Sequence, residues 1–159
     1  MDRTIRAGAN ADRALCVDLW LTVLETRDGQ PQTPAVASRA LAKFDKPAVR
    51  FAVVGESPIG FCLMVDDTIR RVAVLELLAV SPTASGRGLG RALLADAIRT
   101  AEEIGYPTIE LQVRSGNQRA ERLYVAAGFE RSGDPVPHPL GGAAMLTYER
   151  KLTTRSRPT

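Results

Sequence analysis

The stretch "RRVAVLELLAVSPTASGRGLGRALL", residues 70–94, constrains the fold more than any other part of the chain. From Val72 to Val80 every residue except Glu76 is apolar. Both faces of this run avoid water, which is the pattern of a central strand. Pro82 ends the run, and Gly86, Gly88 and Gly90 then alternate ahead of a helical pattern. Its apolar stripe is Leu93, Leu94, Ala97, Ile98, Ala101 and Ile104, and Gly105 marks its stop. A buried strand that turns directly into an amphipathic helix belongs to a sheet with covering layers on both sides.

Glycines let such a junction turn tightly, so that several backbone N–H groups aim at one point. The helix dipole adds partial positive charge there, and an anion is welcome. The competing reading is a tight turn with no ligand. Two familiar phosphate loops fail the test. The nucleoside-triphosphate loop needs Gly-Lys-Ser/Thr, whereas Gly90 is followed by Arg91 and Ala92. The dinucleotide fingerprint needs a third glycine where Arg91 stands.

Around this junction the chain alternates between two periods. "RTIRAG" reads as a short strand, and two adjacent stripes from Asp12, Leu15-Leu19-Val23 and Cys16-Trp20-Leu24, predict a helix. "AVASRALAKF" predicts a second, shorter helix. "AVRFAVV" and "IGFCLMV" read as strands joined by the turn "GESP". Downstream, "PTIELQV" is a strand, and Asn117 caps a helix with Ala120, Leu123, Tyr124 and Ala127 on its inner face. "FERSG" and "AAMLTYERKL" complete the set. The order β-α-α-β-β-β-α-β-α-β-β predicts an α/β (α+β) fold with helices on both faces of one sheet. No repeat or linker divides it, so residues 1–152 read as one domain, with a polar tail at 153–159 that frays.

Composition excludes more than it identifies. An excess of 21 basic over 18 acidic residues is small and spread out, which argues against a nucleic-acid partner. No apolar run approaches the roughly 20 residues of a membrane span, and the first residues lack the apolar core of a signal peptide. Cys16 and Cys62 are not spaced for metal or redox chemistry and read as buried free thiols. His138 is the sole histidine, and no metal site is expected. A cytoplasmic location follows as an expectation.

Leu78, Ala79, Val80, Pro82, Gly88 and Gly90 stand in register with the first signature of the GNAT superfamily of acyl-CoA N-acyltransferases, which the loop resembles. "VRSGNQRAERLYVAAGFE" resembles the second signature, with Asn117, Ala120, Leu123, Tyr124, Gly128 and Phe129 in place. The resemblance implies a GNAT fold: a mixed, mostly antiparallel sheet in which one parallel pair, "LELLAV" and "IELQVR", splays apart. It implies acetyl-CoA as cosubstrate. The pyrophosphate would lie on the backbone of Gly86, Arg87, Gly88, Leu89, Gly90 and Arg91, with the Ser85 hydroxyl in reach of one phosphate oxygen. The pantetheine arm would pair with Leu78, Ala79 and Val80, opposite Asn117, Ala120 and Tyr124. Ser85 departs from the family's arginine or glutamine, bringing neither charge nor length. The amine acceptor stays unnamed, and homodimer formation stays open.

Acetylation of an amine needs a proton removed from the ammonium and one supplied to the leaving thiolate. Glu76 is the first candidate base, because strict alternation puts it in an apolar row with Val72, Val74, Leu78 and Val80, where a carboxylate is costly without a partner or a wet cleft. The competing role is an ion pair to an N-terminal arginine. Glu110 is the reserve; Gln112 holds the place where some protein N-terminal acetyltransferases of the family carry a catalytic glutamate, and an amide is no base. By the resemblance, Tyr124 is the proton donor to sulfur; the competing role is an aromatic in the core. Trp20, Glu110 and Gln112 are the candidate acceptor contacts, and Asp18, Arg27, His138 and Tyr148 fall in the same regions. The alternative to an enzyme is an acyl-CoA-binding sensor of the same fold.

Overall fold

The run at residues 72–80 does become a central strand. In the computed structural model, which describes residues 4–153, the elements follow the order read from the sequence. They are β1 (Ile5–Ala7), α1 (Asp12–Asp28), α2 (Pro34–Lys43), β2 (Ala48–Val54), β3 (Gly60–Asp67), β4 (Val72–Val80), α3 (Leu89–Ile104), β5 (Thr108–Arg114), α4 (Gln118–Ala126), β6 (Glu130–Arg131) and β7 (Met145–Lys151). The expected tail lies outside the described residues apart from Thr153. The strands form one seven-stranded sheet in the order β1-β2-β3-β4-β5-β7-β6. Only β4 and β5 run parallel; every other neighbour pair is antiparallel.

Each face of the sheet carries its own core. Leu93, Leu94 and Ala97 of α3 and Tyr124 of α4 pack with Cys62, Met64, Leu75, Ile109 and Leu111. On the opposite face, Cys16 and Val17 of α1 and Ala40 and Phe44 beside α2 pack with Phe61, Leu63, Leu77 and Ala79. Both cysteines are free and buried, and burial pushes each thiol up to about 12. In α1 the stripe Cys16-Trp20-Leu24 faces the core as read, and of the other stripe only Leu15 departs. Cys16, Val17 and Leu24 are buried, while Leu15 is 48% exposed. The helix is apolar on so much of its circumference that spacing alone does not choose its inner side. Among the described residues no helix is long and apolar enough to cross a membrane.

One irregularity in β4 organises the rest. Leu63 of β3 opposes Leu77 and Met64 opposes Leu75, so Glu76 has no partner on β3. This extra residue is a β-bulge, which bends a strand and steepens its twist. It also shifts the alternation by one. Leu75 lies in the α3-side core, and Leu78 and Val80 pack against that same core. Leu77 and Ala79 lie in the α1-side core, and Val74 packs against it. The single apolar row expected for Val72, Val74, Glu76, Leu78 and Val80 is therefore corrected: the row breaks at Glu76.

The parallel pairing ends at the same place. Ala73, Val74 and Leu75 pair with Ile109, Glu110 and Leu111, and β4 makes no further pair with β5. Beyond Leu75, β4 stays with β3 through Val80. Its neighbour β5 follows β7 along the whole length from Thr108 to Arg114. The expected splay of the parallel pair is present.

Two buried carboxylates tie helices to the sheet. Asp96 of α3, 3% exposed, accepts two hydrogen bonds from Arg50 of β2 at 2.9 and 3.2 Å and one from Arg99 at 3.0 Å. Asp12 at the start of α1 accepts from Arg6 of β1 at 2.8 and 2.9 Å and from the Ala9 N–H at 2.8 Å. These donors, Arg6 first, hold the Asp12 carboxyl down at about 2. A depressed carboxyl stabilises the fold above its unfolded value near 3.9, and that contribution is lost as pH falls through the folded value. Arg6 is partly open to solvent, which screens the pair, so the stabilisation is about 1 kcal/mol. Asp12→Asn should lower stability at pH 6 by that order and flatten the loss between about pH 4 and pH 2, as read by urea unfolding at each pH.

Candidate active site

Building from the glycine loop upward, Pro82–Ala84 forms one 3₁₀ turn after β4. The Ser85 hydroxyl donates to the Pro82 carbonyl at 3.0 Å and closes that turn. Its proton is thereby committed within the loop. Gly86 and Gly88 have φ of 80° and 78°, the left-handed region that side chains disfavour. A Cβ at either would meet nothing within 4 Å, so the space above both is clear. Gly88 caps α3 without any side-chain hydrogen bond. By helix geometry the N–H groups of Leu89, Gly90 and Arg91 then have no acceptor inside the helix. Leu89 is buried, so only its backbone serves the loop surface, while Arg87 and Arg91 are exposed. Those features fit a phosphate.

The gap between the parted strands continues from this loop. Ser81 donates its N–H to Ile59 beyond the end of β3 at 2.8 Å. Strand alternation then turns the N–H groups of Leu78 and Val80 away from β3 and toward the gap, with those of Ala79 and Leu77 turned back. On the α4 side, the Asn117 side chain accepts the Ala120 N–H at 3.3 Å and caps the helix, as expected. Tyr124 is buried, with its ring edge-on to Phe129 at 6.0 Å. Burial pushes its phenol up to about 12. It stays protonated at neutral pH. Tyr124 belongs to the α3-side core, the cluster against which Leu78, Val80 and Ala120 also pack.

On the opposite face a cleft of about 660 Å³ opens between the sheet and α1 and α2. Glu76, Glu110 and Gln112 line it together with Trp20, Arg39 and His138. The ion pair weighed for Glu76 exists, but its partners are lysines. Lys43 and Lys46 each place Nζ 3.3 Å from one carboxylate oxygen. Burial pulls the Lys43 ammonium below its ordinary value, against the pull of Glu76. Glu110 is held by both arms of Arg70 at 3.0 and 3.2 Å, and Arg70 also reaches Asp67 at 2.7 Å. The Gln112 amide donates to the Thr147 hydroxyl at 3.5 Å. Trp20 packs against the α1-side core and also lines the cleft.

His138 enters the cleft from the segment between β6 and β7. Its Nδ1 accepts the Leu140 N–H at 3.0 Å. Burial, and then Arg39, Arg114 and Lys43 in turn, hold its ring below the ordinary histidine value. Tyr148, placed by sequence in the same acceptor region, belongs elsewhere. It is buried in the α3-side core and donates to Glu121 at 2.7 Å. Arg27 pairs with Asp28 outside the cleft, and Asp18 does not line it. The cations Arg39, Lys43 and Lys46 were missed, although their i, i+4, i+7 spacing is one helical stripe. Among the described residues no cluster of histidine, cysteine and carboxylates could hold a metal.

Comparison with known proteins identifies the family and the fold. The sequence matches the Acetyltransferase (GNAT) family over residues 17–129. It is 33% identical over 136 residues to a mycothiol acetyltransferase of Sanguibacter keddieii, covering 82% of this chain and 43% of that protein. It is 31% identical over 121 residues to the ribosomal protein bS18-alanine N-acetyltransferase of Salmonella typhimurium, covering 70% and 81%. The chain thus spans less than half the length of the mycothiol acetyltransferases it matches. The fold is that of the PaiA N-acetyltransferase from Thermoplasma acidophilum, solved in complex with coenzyme A (TM-score 0.75, 18% identity, 95% and 99% covered).

The glycines of the loop should separate by backbone and not by packing. Gly88→Ala is expected to cost about 1–2 kcal/mol in urea unfolding, the penalty of a left-handed side-chain residue. Gly90 lies inside α3 without positive φ, and its Cβ would make ordinary contacts at 3.7 and 3.8 Å. Gly90→Ala is expected to be neutral or stabilising by under about 1 kcal/mol.

Proposed function

Because the chain belongs to the GNAT acetyltransferase family, we propose that it transfers an acetyl group from acetyl-CoA to a primary amine by direct attack in a ternary complex. The observation that carries this reading is the parting of β4 and β5 beyond Leu75. It leaves a strand edge for an extended pantetheine arm, with the phosphate-ready loop at one end and the cleft on the opposite face. Acetyl-CoA supplies the activated carbonyl: the amine nitrogen bonds to it as the carbon–sulfur bond breaks, and sulfur leaves with the electron pair.

The chain supplies the rest. Backbone N–H groups of Leu78 and Val80 stabilise negative charge developing on the carbonyl oxygen. Glu76, at the point where the strands separate, takes one proton from the ammonium, directly or through water, so that the neutral amine attacks. Tyr124 keeps its proton until the thiolate forms and then donates it, and the second proton, lost from nitrogen as the amide forms, restores the phenol through solvent. Glu110 is held by both arms of Arg70, as Glu76 is held by its two lysines, and stays the reserve base. Neither cysteine serves as an acyl carrier, because both thiols are buried and held up at about 12. One observation favours the second reading, a sensor that binds acyl-CoA without catalysis. Both carboxylates beside β4 and β5 in the cleft are already ion-paired.

Thiol release from acetyl-CoA across an amine panel separates the two. Glu76→Gln and Tyr124→Phe are each expected to lower kcat about 100-fold with CoA affinity unchanged by calorimetry. CoA binding without amine-stimulated release would favour the sensor. Ser85→Arg, adding a charge-assisted contact to phosphate, is expected to tighten CoA binding about tenfold. Unchanged affinity would mean that the backbone holds the pyrophosphate without help from this position.

A further inference from the structure

The charges that line the cleft are segregated. On the α2 wall stand Arg39, Lys43 and Lys46, three cations against the one carboxylate of Glu76. Across from it, at the end of β3, in the β3–β4 turn and on β5, stand Asp67, Arg70 and Glu110, two carboxylates against one cation; Asp66 turns instead to Tyr106 on the other face of the sheet. The basic wall carries two uncompensated charges and the acidic wall one, and the two walls are of opposite sign. Structural ion pairs alone would leave no such surplus, since matched partners cancel.

Arg39 is the cation best placed to receive a ligand. Among the described residues it has no ion-pair partner, while Lys43 and Lys46 share Glu76. Its guanidinium offers a planar fork suited to a carboxylate. His138, beside it, has Nδ1 occupied by the Leu140 N–H, which puts the proton of the neutral ring on Nε2 as a second donor. A cleft near 660 Å³ has the size of a small-molecule site. Opposite fields on facing walls orient a molecule that carries both signs and give nothing extra to a simple cation.

Resting on the acetyltransferase reading above, we infer that the acceptor is a small zwitterion, an amine that also carries a carboxylate, anchored through that carboxylate by Arg39 and the Nε2–H of His138. The amine end is then left to the carboxylates of the cleft, Glu76 among its lysines and Asp67 and Glu110 on the acidic wall. Arg39 sets specificity and takes no part in proton transfer.

The test compares kcat/KM, by thiol release from acetyl-CoA, for α- and ω-amino acids against the amines left by removing each carboxylate. Peptides beginning with the same residues form a third arm. The expected result is a preference of about tenfold or more for the amino acid. Arg39→Gln should bring that ratio close to one, and Arg39→Glu should invert it in favour of the simple amine. Arg39 is exposed, so both variants should fold, which their urea unfolding verifies. Amine turnover with a wild-type ratio near one, a ratio unmoved by Arg39→Glu, or a peptide used better than its free amino acid would each overturn the acceptor assignment alone. Absence of release with every amine would overturn the acetyltransferase reading, and the assignment with it.

Discussion

One extra residue in a strand underlies the architecture of this site. Glu76 has no partner on β3, and at that position β4 stops pairing with β5. A regular strand would carry the parallel ladder onward and leave no edge to a ligand, because backbone N–H and C=O groups pair wherever a neighbour is in reach. The bulge bends the strand instead. It keeps the second half of β4 on β3, opens a gap beside Leu78 and Val80, and projects a carboxylate where the strands part. The phosphate-ready loop stands at the end of this bent segment, so its distance from Glu76 is set by the short run from Leu77 to Ser85.

The two faces of the sheet divide the labour. On the α3 side, burial dominates: Tyr124 lies in the core against which Leu78, Val80 and Ala120 pack, and the phenol is held protonated by the lack of water. On the α1 side, charge dominates. Glu76 and Glu110 are each held by cations from other elements, and His138 sits among arginine and lysine side chains. The low-polarity layer suits a thioester arm and a proton donor. The charged cleft suits an amine that must arrive as an ammonium and give up its proton.

Legibility followed sequence distance. The loop from Ser85 to Arg91, the cap at Asn117 and the row around Tyr124 are local patterns, in which spacing and residue type already imply geometry. The element order was legible for the same reason, since periods of 2 and 3.6 repeat within single segments. That Leu78 and Val80 leave the face shared by Val74 and Glu76 was missed, because a bulge inserts one residue without any compositional mark in an otherwise apolar strand. Leu15 was misread for a related cause: a helix that is apolar nearly all round does not announce its inner side. The segment from Arg39 to Lys46 did carry a signal, a helical stripe of cations, but such a stripe reads as a solvated face until something is found opposite it.

By itself the sequence determined the alternation of strands and helices and the anion-ready loop, features written in neighbouring residues. Only the tertiary structure decided that Glu76 answers to two lysines, that Arg70 occupies Glu110, and that Trp20, Arg39 and His138 enclose one cleft. Those residues come from separate elements, spread over more than two-thirds of the chain, and only the packing of α1, α2 and the β6–β7 segment onto one face of the sheet brings them together. Charges interact through space with a strength set by distance and burial, and neither quantity exists until the chain has folded.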